Sequence, residues 1–388
     1  MTASEAPSHA ALDVRRATTW SGPRLAKLPA LALESGETLA SVTVAYETWG
    51  RLAPNRDNVV LLCHALTGDA HACDLERPDD PRAGWWNPLV GPGRAFDTDR
   101  LFVICSNVLG GCYGTTGPTS ERGEGANGAA RTRWGLDFPQ VTVGDMARAQ
   151  RALLAALGID HVAVVAGGSL GGLQALEWAI AYPEQVERAI IVGAAQRLPA
   201  QGLAIDDIAR QAIMADPLWQ GGQYAPDDGP KTGLAIARML AMLTYTSAAG
   251  LDARFGRSLA TRESKWPAWG PRRDVETYLH HQADKLARRF DANTYLYLTS
   301  AMDRYDAAAA WGSDALALGR IRAETLVVGM STDWLYPPEL PRALAEGIIQ
   351  TGGAARYREV KSLNGHDAFL KDWDQMDALL RQFLNDQA

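Results

Sequence analysis

A serine in a glycine-rich turn is the residue of this sequence best placed to do chemistry. The segment Gly167-Gly168-Ser169-Leu170-Gly171 follows an apolar, β-branched run at 161–166 and precedes a helical pattern. A G-x-S-x-G segment between a strand and a helix is typical of a nucleophile elbow, because glycines permit a tight turn with close backbone approach. A glycine-rich turn with an incidental serine would look the same in sequence. We predict that Ser169 is a covalent nucleophile.

A serine hydroxyl is a weak nucleophile until a base removes its proton. Of the seven histidines, His366 lies in a glycine-containing loop after the strand-like run at 357–360. Asp333 directly follows the apolar run at 325–329 and lies between the serine and this histidine in chain order. An acid in this place fixes the tautomer of the histidine and stabilises its protonated form. The order and placement predict a Ser169–Asp333–His366 triad.

Acyl chemistry at a serine also needs backbone N–H groups that stabilise an oxyanion. One donor should be the residue after the nucleophile, Leu170. The other should come from the loop at 64–68, which follows the apolar run at 58–63, and we predict Leu66. His64, in the same loop, is expected to be packed and hydrogen-bonded rather than to act as a base.

Motifs for other ligands are missing from the sequence. No P-loop or dinucleotide-binding glycine pattern occurs, and no His/Cys cluster has metal-ligand spacing. We expect covalent chemistry with no metal and no resident cofactor.

The elements that must position these residues form an alternating pattern. Short apolar runs, suited to strands buried on both faces, alternate with helical patterns, which predicts a mostly parallel, doubly wound α/β sheet of the α/β-hydrolase class. A stretch of helical composition interrupts the pattern and indicates an inserted helical lid. We assign residues 1–25 to a loose N-terminal arm, 26–196 and 307–388 to the core, and 197–306 to the lid.

Composition limits the partners and the compartment. The 388 residues carry 38 Lys and Arg against 45 Asp and Glu, a net charge of −7, which argues against a nucleic-acid partner. The most apolar stretch, 162–182, is interrupted by polar residues, so no membrane span or membrane partner is expected. The N-terminus has no signal-peptide pattern and the four cysteines form no C-x-x-C pair, which indicates a cytoplasmic protein with free thiols.

Several long blocks resemble the homoserine O-acetyltransferase family. They include VICSNVLGGCYGTTGPTS at 103–120, AGGSLGGLQALEWA at 166–179 and NGHDAFL at 364–370, and similar blocks extend over about 30–383. The resemblance implies an acyltransferase of methionine biosynthesis that moves an acetyl group from the cosubstrate acetyl-CoA to L-homoserine through a serine acyl-enzyme. It implies the same triad, Arg238 as the ligand of the substrate carboxylate, and Asp367 as the ligand of its ammonium. It further implies a homodimer built through the lid.

Three alternatives stay open. The donor could be succinyl-CoA; relatives that use it carry an arginine two residues after the catalytic aspartate, where this chain has Leu335, which favours acetyl. The acceptor could be L-serine, because one methylene is worth only ~1–3 kcal/mol in a pocket. Water could also be the acceptor, as in an esterase or thioesterase.

The phosphates of CoA would need local cations, for which Arg272-Arg273 and the segment 285–289 are candidates.

Overall fold

The computed structural model describes residues 22–77, 79–80, 83–122, 133–260, 269 and 273–386. The predicted arm at 1–25 lies mostly outside these residues. Its last two positions belong to the sheet, because the first strand begins at Arg24 and pairs with a neighbouring strand.

One large sheet organises the molecule. The described strands are β1 (Arg24–Leu28), β2 (Leu31–Ala32), β3 (Thr38–Leu39), β4 (Val42–Trp49), β5 (Val59–Cys63), β6 (Val90–Gly91), β7 (Phe96–Asp97), β8 (Phe102–Ser106), β9 (Val162–Gly168), β10 (Val186–Val192), β11 (Glu324–Met330) and β12 (Ala355–Val360). Eight of them form the sheet in the order β1-β4-β8-β5-β9-β10-β11-β12. The strands from β8 to β12 in this order are parallel to one another. Strand β4 runs antiparallel to β8, and β1 runs antiparallel to β4. The predicted sheet class is confirmed.

Helices cover both faces of this sheet. They are α1 (Val143–Ala156), α2 (Leu170–Ala181), α3 (Ala200–Met214), α4 (Lys231–Tyr245), α5 (Ala248–Phe255), α6 (Asp274–Ala287), α7 (Ala292–Arg304), α8 (Asp314–Leu318), α9 (Glu339–Gln350) and α10 (Trp373–Asn385). Alternate residues of β5 enter two different apolar cores, since successive side chains of a strand point to opposite faces. The buried side chains of α1, α2 and α9 pack on one face of the sheet, and those of α10 pack on the other face.

The helical segment between β10 and β11 leaves and re-enters the core at one point. Arg197 and Asp306 form an isolated antiparallel bridge, and their side chains form an ion pair of 2.8 Å. The N–H of Ala307 donates to the carbonyl of Gln196 at 2.9 Å. These contacts join the two ends of the segment at 197 and 306, the positions that the sequence assigned to the lid, and we call them the lid root.

The lid is packed into the main core rather than set apart from it. Helix α4 packs against α3 and α6, and α7 is buried over most of its length, with Tyr295 and Leu298 in the same apolar cluster as β5. Helices α4 and α5 meet at 100°. No single helix in the described ranges is long and apolar enough to cross a membrane. Among those ranges, only α4 and α5 taken together have the length and apolar composition of a span, and they are bent at the break between them.

The turn from β9 to α2 is the closest crossing of backbone segments near the predicted nucleophile. A Cβ added to Gly171 would lie 2.0 Å from the carbonyl oxygen of Cys63, at the end of β5. A Cβ on Gly167 would lie 2.3 Å from the carbonyl oxygen of Gly171. Only glycine at these two positions lets α2 start directly against the neighbouring strand.

We predict that Gly171→Ala lowers the free energy of unfolding by at least about 2 kcal/mol, because the clash is with backbone that no rotamer change relieves. Urea unfolding followed by circular dichroism measures the loss. The control is Gly319→Ala, where the nearest atom is 3.0 Å away and φ is −65°. Equal midpoints for the two variants would show that the close crossing is not a constraint.

Candidate active site

Ser169 lies at the tight turn between β9 and α2. Its backbone has φ of 58° and ψ of −123°, a region that residues with a side chain rarely adopt. The N–H of Ser169 donates to the carbonyl of Val192 in β10 at 2.9 Å, and helix α2 begins at the next residue. Strained backbone that the surroundings hold in place is a feature of functional turns. The geometry is that of a nucleophile elbow, with the positive end of the α2 dipole behind the serine.

Asp333 and His366 form a buried pair. The Nδ1 atom of His366 lies 2.6 Å from Oδ2 of Asp333, and both side chains are almost fully buried. The other carboxylate oxygen of Asp333 accepts the N–H groups of Leu335 at 2.9 Å and Tyr336 at 3.0 Å. An ionised carboxylate oxygen can only accept a hydrogen bond, so Nδ1 of the histidine carries the proton and Nε2 presents its lone pair.

Two glycines near the elbow leave room for the His366 ring and for Phe369, which packs against that ring. A Cβ on Gly193, the residue after Val192, would lie 3.2 Å from the His366 ring. A Cβ on Gly168 would lie 2.5 Å from the ring of Phe369, which in turn packs edge-on against His366. The Nε2 atom of His366 is buried and has no hydrogen-bond partner among the described residues. The described residues thus include no hydrogen bond between Ser169 and His366, and Nε2 is the ring nitrogen left free for the predicted proton transfer.

Two opposing effects set the basicity of His366. Burial lowers its pKa, while the charge and hydrogen bond of Asp333, with the charge of Asp367, raise it, and the net pKa lies above the ordinary value of 6.5. A general base works in its unprotonated form. The imidazole therefore becomes active as the pH rises through a pKa above 6.5.

The loop at 64–68 and the start of α2 carry the two predicted oxyanion donors. The N–H of Gly68 donates to the carbonyl of Ala65 at 2.9 Å, which closes a turn with buried Leu66 at its second position. The hydrogen bond that closes this turn uses the N–H of Gly68, so it does not engage the N–H of Leu66. His64 is buried, as expected, with Nδ1 2.8 Å from the carbonyl of Ala65 and Nε2 accepting the N–H of Val108 at 3.1 Å. Burial lowers the pKa of His64, so the ring stays neutral.

Arg238 lies beside Tyr245, a residue that the sequence reasoning missed. The Arg238 guanidinium lies 5.4 Å from the ring centroid of Tyr245, and that ring lies 6.0 Å from the His366 ring. Burial raises the pKa of Tyr245 to about 12, with Arg238 lowering it and Asp367 raising it, so both charges are near. Arg238 and Tyr245 are seven residues apart on α4 and share one face. That spacing was a usable signal.

Two further features of Asp367 and Arg238 were not foreseen: an ion pair of the carboxylate, and guanidinium nitrogens without partners in the described residues. The carboxylate of Asp367 is 3.0 Å from the ammonium of Lys371, one helical turn later. The Nε and Nη1 atoms of Arg238 are buried and have no hydrogen-bond partner in the described part of the chain. Buried guanidinium nitrogens without partners are costly, and an anionic group of a ligand would satisfy them.

Three of the four cysteines are buried and the fourth is partly buried. All four cysteines are free, and burial raises the pKa of the Cys63 and Cys112 thiols to about 12, which keeps them protonated. Within the described ranges, no group of three His, Cys, Asp or Glu side chains is arranged to hold a metal ion.

Comparisons with known proteins agree with this geometry. Residues 58–372 match the model of the alpha/beta hydrolase fold family. Homoserine O-acetyltransferase of Symbiobacterium thermophilum is 49% identical over 357 residues, which is 92% of this chain and 92% of that protein. The crystal structure of homoserine O-acetyltransferase from Bacillus anthracis matches with a TM-score of 0.85 at 29% identity, covering 94% of this chain and 98% of that one. Esterase E22 matches with a TM-score of 0.84 at 30% identity, covering 94% and 99%.

We predict that the rate of acylation by p-nitrophenyl acetate rises with pH through an apparent pKa above 6.5, the limb expected of a base whose pKa is raised. Asp367→Asn removes a negative charge that raises the pKa of His366, so the limb should move to lower pH. This ester has no ammonium group, so the variant tests only the electrostatic effect. Stopped-flow absorbance at a series of pH values measures the profile.

Glu346→Gln is the matched control, since it removes the same charge from an exposed position on α9. Its profile should coincide with that of the wild type. An Asp367→Asn limb that stays in place or moves to higher pH would contradict the electrostatic argument.

Proposed function

Because this chain belongs to the homoserine O-acetyltransferase family, on the α/β-hydrolase fold, we propose that it transfers an acetyl group from acetyl-CoA to the hydroxyl of L-homoserine. As a member of that family the chain is an enzyme, an acyltransferase of methionine biosynthesis. The proposal adds the donor, the acceptor and the route, which runs through an acetyl ester of Ser169.

The first half of the reaction forms the ester and releases CoA. The Nε2 atom of His366 takes the hydroxyl proton while Ser169 Oγ attacks the thioester carbonyl, and the N–H groups of Leu66 and Leu170 stabilise the oxyanion. The C–S bond breaks, and CoA leaves with the proton from the imidazolium. Asp333 stabilises that imidazolium without becoming protonated.

The second half repeats the steps with a different nucleophile. The hydroxyl of L-homoserine gives its proton to His366 and attacks the carbonyl of the serine ester. The tetrahedral intermediate collapses, the bond to Ser169 Oγ breaks, and the proton returns to the serine. Water must be kept from the ester, or the enzyme becomes a thioesterase.

The two buried, unpartnered nitrogens of Arg238 are the observation that carries the proposal. They lie beside Tyr245, which contacts the catalytic histidine, and a guanidinium binds a carboxylate strongly and with fixed geometry. Asp367, the residue after His366, supplies the opposite charge for an ammonium group. A zwitterionic amino acid suits this pair of charges, whereas a simple ester substrate has no need of them.

An acetyl group fits the surroundings of Leu335 better than a succinyl group does. Leu335 is 6% exposed and packs in a small apolar cluster with Ala195, Leu198 and Tyr336. A distal carboxylate at this position would be buried without a partner, at a high cost in free energy. L-Serine remains a second candidate acceptor, since it carries the same charged groups as L-homoserine.

We assign the phosphates of CoA to a cavity of about 430 Å³, one of whose lining residues, Arg289, also contacts the loop at 64–68. Its lining includes Lys231, Arg288 and Arg289, with Asp227 and Asp291 as the only acidic side chains among the described lining residues. Arg289 donates to the carbonyl of Thr67, next to the oxyanion donor Leu66, at 3.1 Å. Lys231 and Arg238 lie on one face of α4, about 10 Å apart along its axis. The predicted segment 285–289 thus contributes two of the cations, while Arg272 lies outside the described residues.

The lid also carries the surface that suits a second copy of the chain. Seven of the large apolar side chains that are exposed in the described residues belong to it: Leu203, Ile208, Leu218, Ile236, Leu243, Leu259 and Trp269. Exposed apolar side chains concentrated on one part of a protein indicate an interaction surface. A homodimer through the lid remains our expectation, and the molar mass in solution from light scattering tests it.

The central test is the release of CoA from acetyl-CoA with and without L-homoserine. We expect steady turnover only when the acceptor is present, and in its absence a single acetyl group on the protein by intact mass spectrometry. Ser169→Ala should carry no adduct and lose at least ~10³-fold in kcat. Equal rates with and without L-homoserine would identify an esterase or thioesterase. Faster transfer to L-serine, or from succinyl-CoA, would replace the acceptor or the donor.

We predict that Arg288→Met and Lys231→Met each raise the KM for acetyl-CoA by roughly 3- to 10-fold, because each removes one charged contact with a phosphate. The KM for p-nitrophenyl acetate, which has no phosphate, should not change. Lys285→Met is the control, since Lys285 is exposed on α6 and does not line the cavity. Equal effects on both acetyl donors would rule out the cavity as the phosphate site.

A further inference from the structure

A buried glutamine connects the two backbone segments that carry the oxyanion donors. Gln174, on the second turn of α2, is fully buried. Its Nε2 atom donates to the carbonyl of Leu170 at 3.1 Å and to the carbonyl of His64 at 3.3 Å. Leu170 is one donor residue, and His64 is two residues before Leu66, the other. One side-chain amide therefore bridges both walls of the oxyanion hole.

The orientation of that amide is fixed by a chain of hydrogen bonds that begins at a tryptophan. The indole Nε1–H of Trp178 can only donate, and it donates to Oε1 of Gln150 at 2.7 Å. The Nε2 atom of Gln150 must then face Gln174, where it donates to Oε1 at 2.7 Å. This leaves the NH₂ group of Gln174 directed at the two carbonyls. Both glutamines and the tryptophan are at most 2% exposed, so water does not compete for these bonds.

The loop at 64–68 is held from its other side by the His64 ring. The ring accepts the N–H of Val108, two residues after β8, at 3.1 Å, and the carbonyl of His64 accepts from Gln174. The loop is thus fixed between β8 and α2. A lost bond to Gln174 would leave a buried carbonyl unsatisfied and free one side of the loop.

We propose that Gln174 is a positioning residue that sets the distance between the Leu66 and Leu170 N–H groups, and so tunes how strongly they stabilise the oxyanion. Preorganised donors stabilise a transition state only while they stay aimed at the developing charge, and a displacement of about 1 Å can cost ~10²-fold in rate. The inference rests on the proposed acetyl ester of Ser169.

The carbonyl stretch of the acetyl enzyme reads the strength of the donors directly. Infrared difference spectra of the enzyme acylated with unlabelled and ¹³C-carbonyl acetyl-CoA isolate this band. In Gln174→Met, which keeps length and volume, we expect the band at a higher frequency because the carbonyl is less polarised. We also expect acylation to slow by about 10- to 100-fold while the KM for L-homoserine stays within a factor of about two.

Two further variants keep the test decisive. Trp178→Phe keeps a ring in place but removes the N–H that orients both glutamines, so it should move the band in the same direction by a smaller amount, and it serves if Gln174→Met does not fold. Thr325→Val removes another buried side-chain bond to a backbone carbonyl, at the start of β11, and should leave the band in place. Wild-type protein that forms no acetyl ester would defeat the proposed function. An ester band that is unchanged in both test variants would overturn the role of Gln174 alone.

Discussion

The approach of the Cys63 carbonyl to the bare Cα of Gly171 is the contact on which the rest of the site depends. It places the carboxyl end of β5 directly against the first turn of α2, which no residue larger than glycine would permit. The loop after β5 and the N-terminus of α2 consequently meet beside Ser169. The positive φ of the serine is sustained by its hydrogen bond to Val192 and by the deep burial of the helix that follows it. Strain at one residue is thereby offset by packing over a whole helix.

The polar groups of the site are stable inside an apolar core because other buried groups hydrogen-bond to them. The Asp333 carboxylate accepts two backbone N–H groups and the imidazole, so its charge is compensated without water. Below the serine, Gln150 and Gln174 satisfy each other and the surrounding backbone. Among the buried polar atoms without partners in the described residues are Nε2 of His366 and two nitrogens of Arg238, which the proposed reaction would engage.

Local pattern predicted the strands of the sheet and the tight turn at Ser169, because each depends on residues close in sequence. The charge partner of Asp367 and the neighbour of Arg238 were within reach too, since Lys371 and Tyr245 follow them at helical spacing. The bridge from Gln174 to His64 was not, because it joins segments whose approach is decided by strand order. The arm boundary failed for the same reason: nothing local to Arg24 indicates that it pairs with Tyr46. The burial of α7 in the main core likewise depends on how the lid docks.

The lid root has a consequence for how such a protein can change. Strands β10 and β11 are neighbours in the sheet although the whole lid separates them in sequence, and the chain crosses between them through one small bridge at Arg197 and Asp306. An insertion whose ends already meet imposes little closure cost on the scaffold, and this cost grows only slowly with length. Natural variation can therefore lengthen, shorten or rewrite the lid while strand order and elbow are inherited intact. Arg238 lies in the lid, so variation there would change the proposed carboxylate ligand while leaving the elbow at Ser169 unchanged.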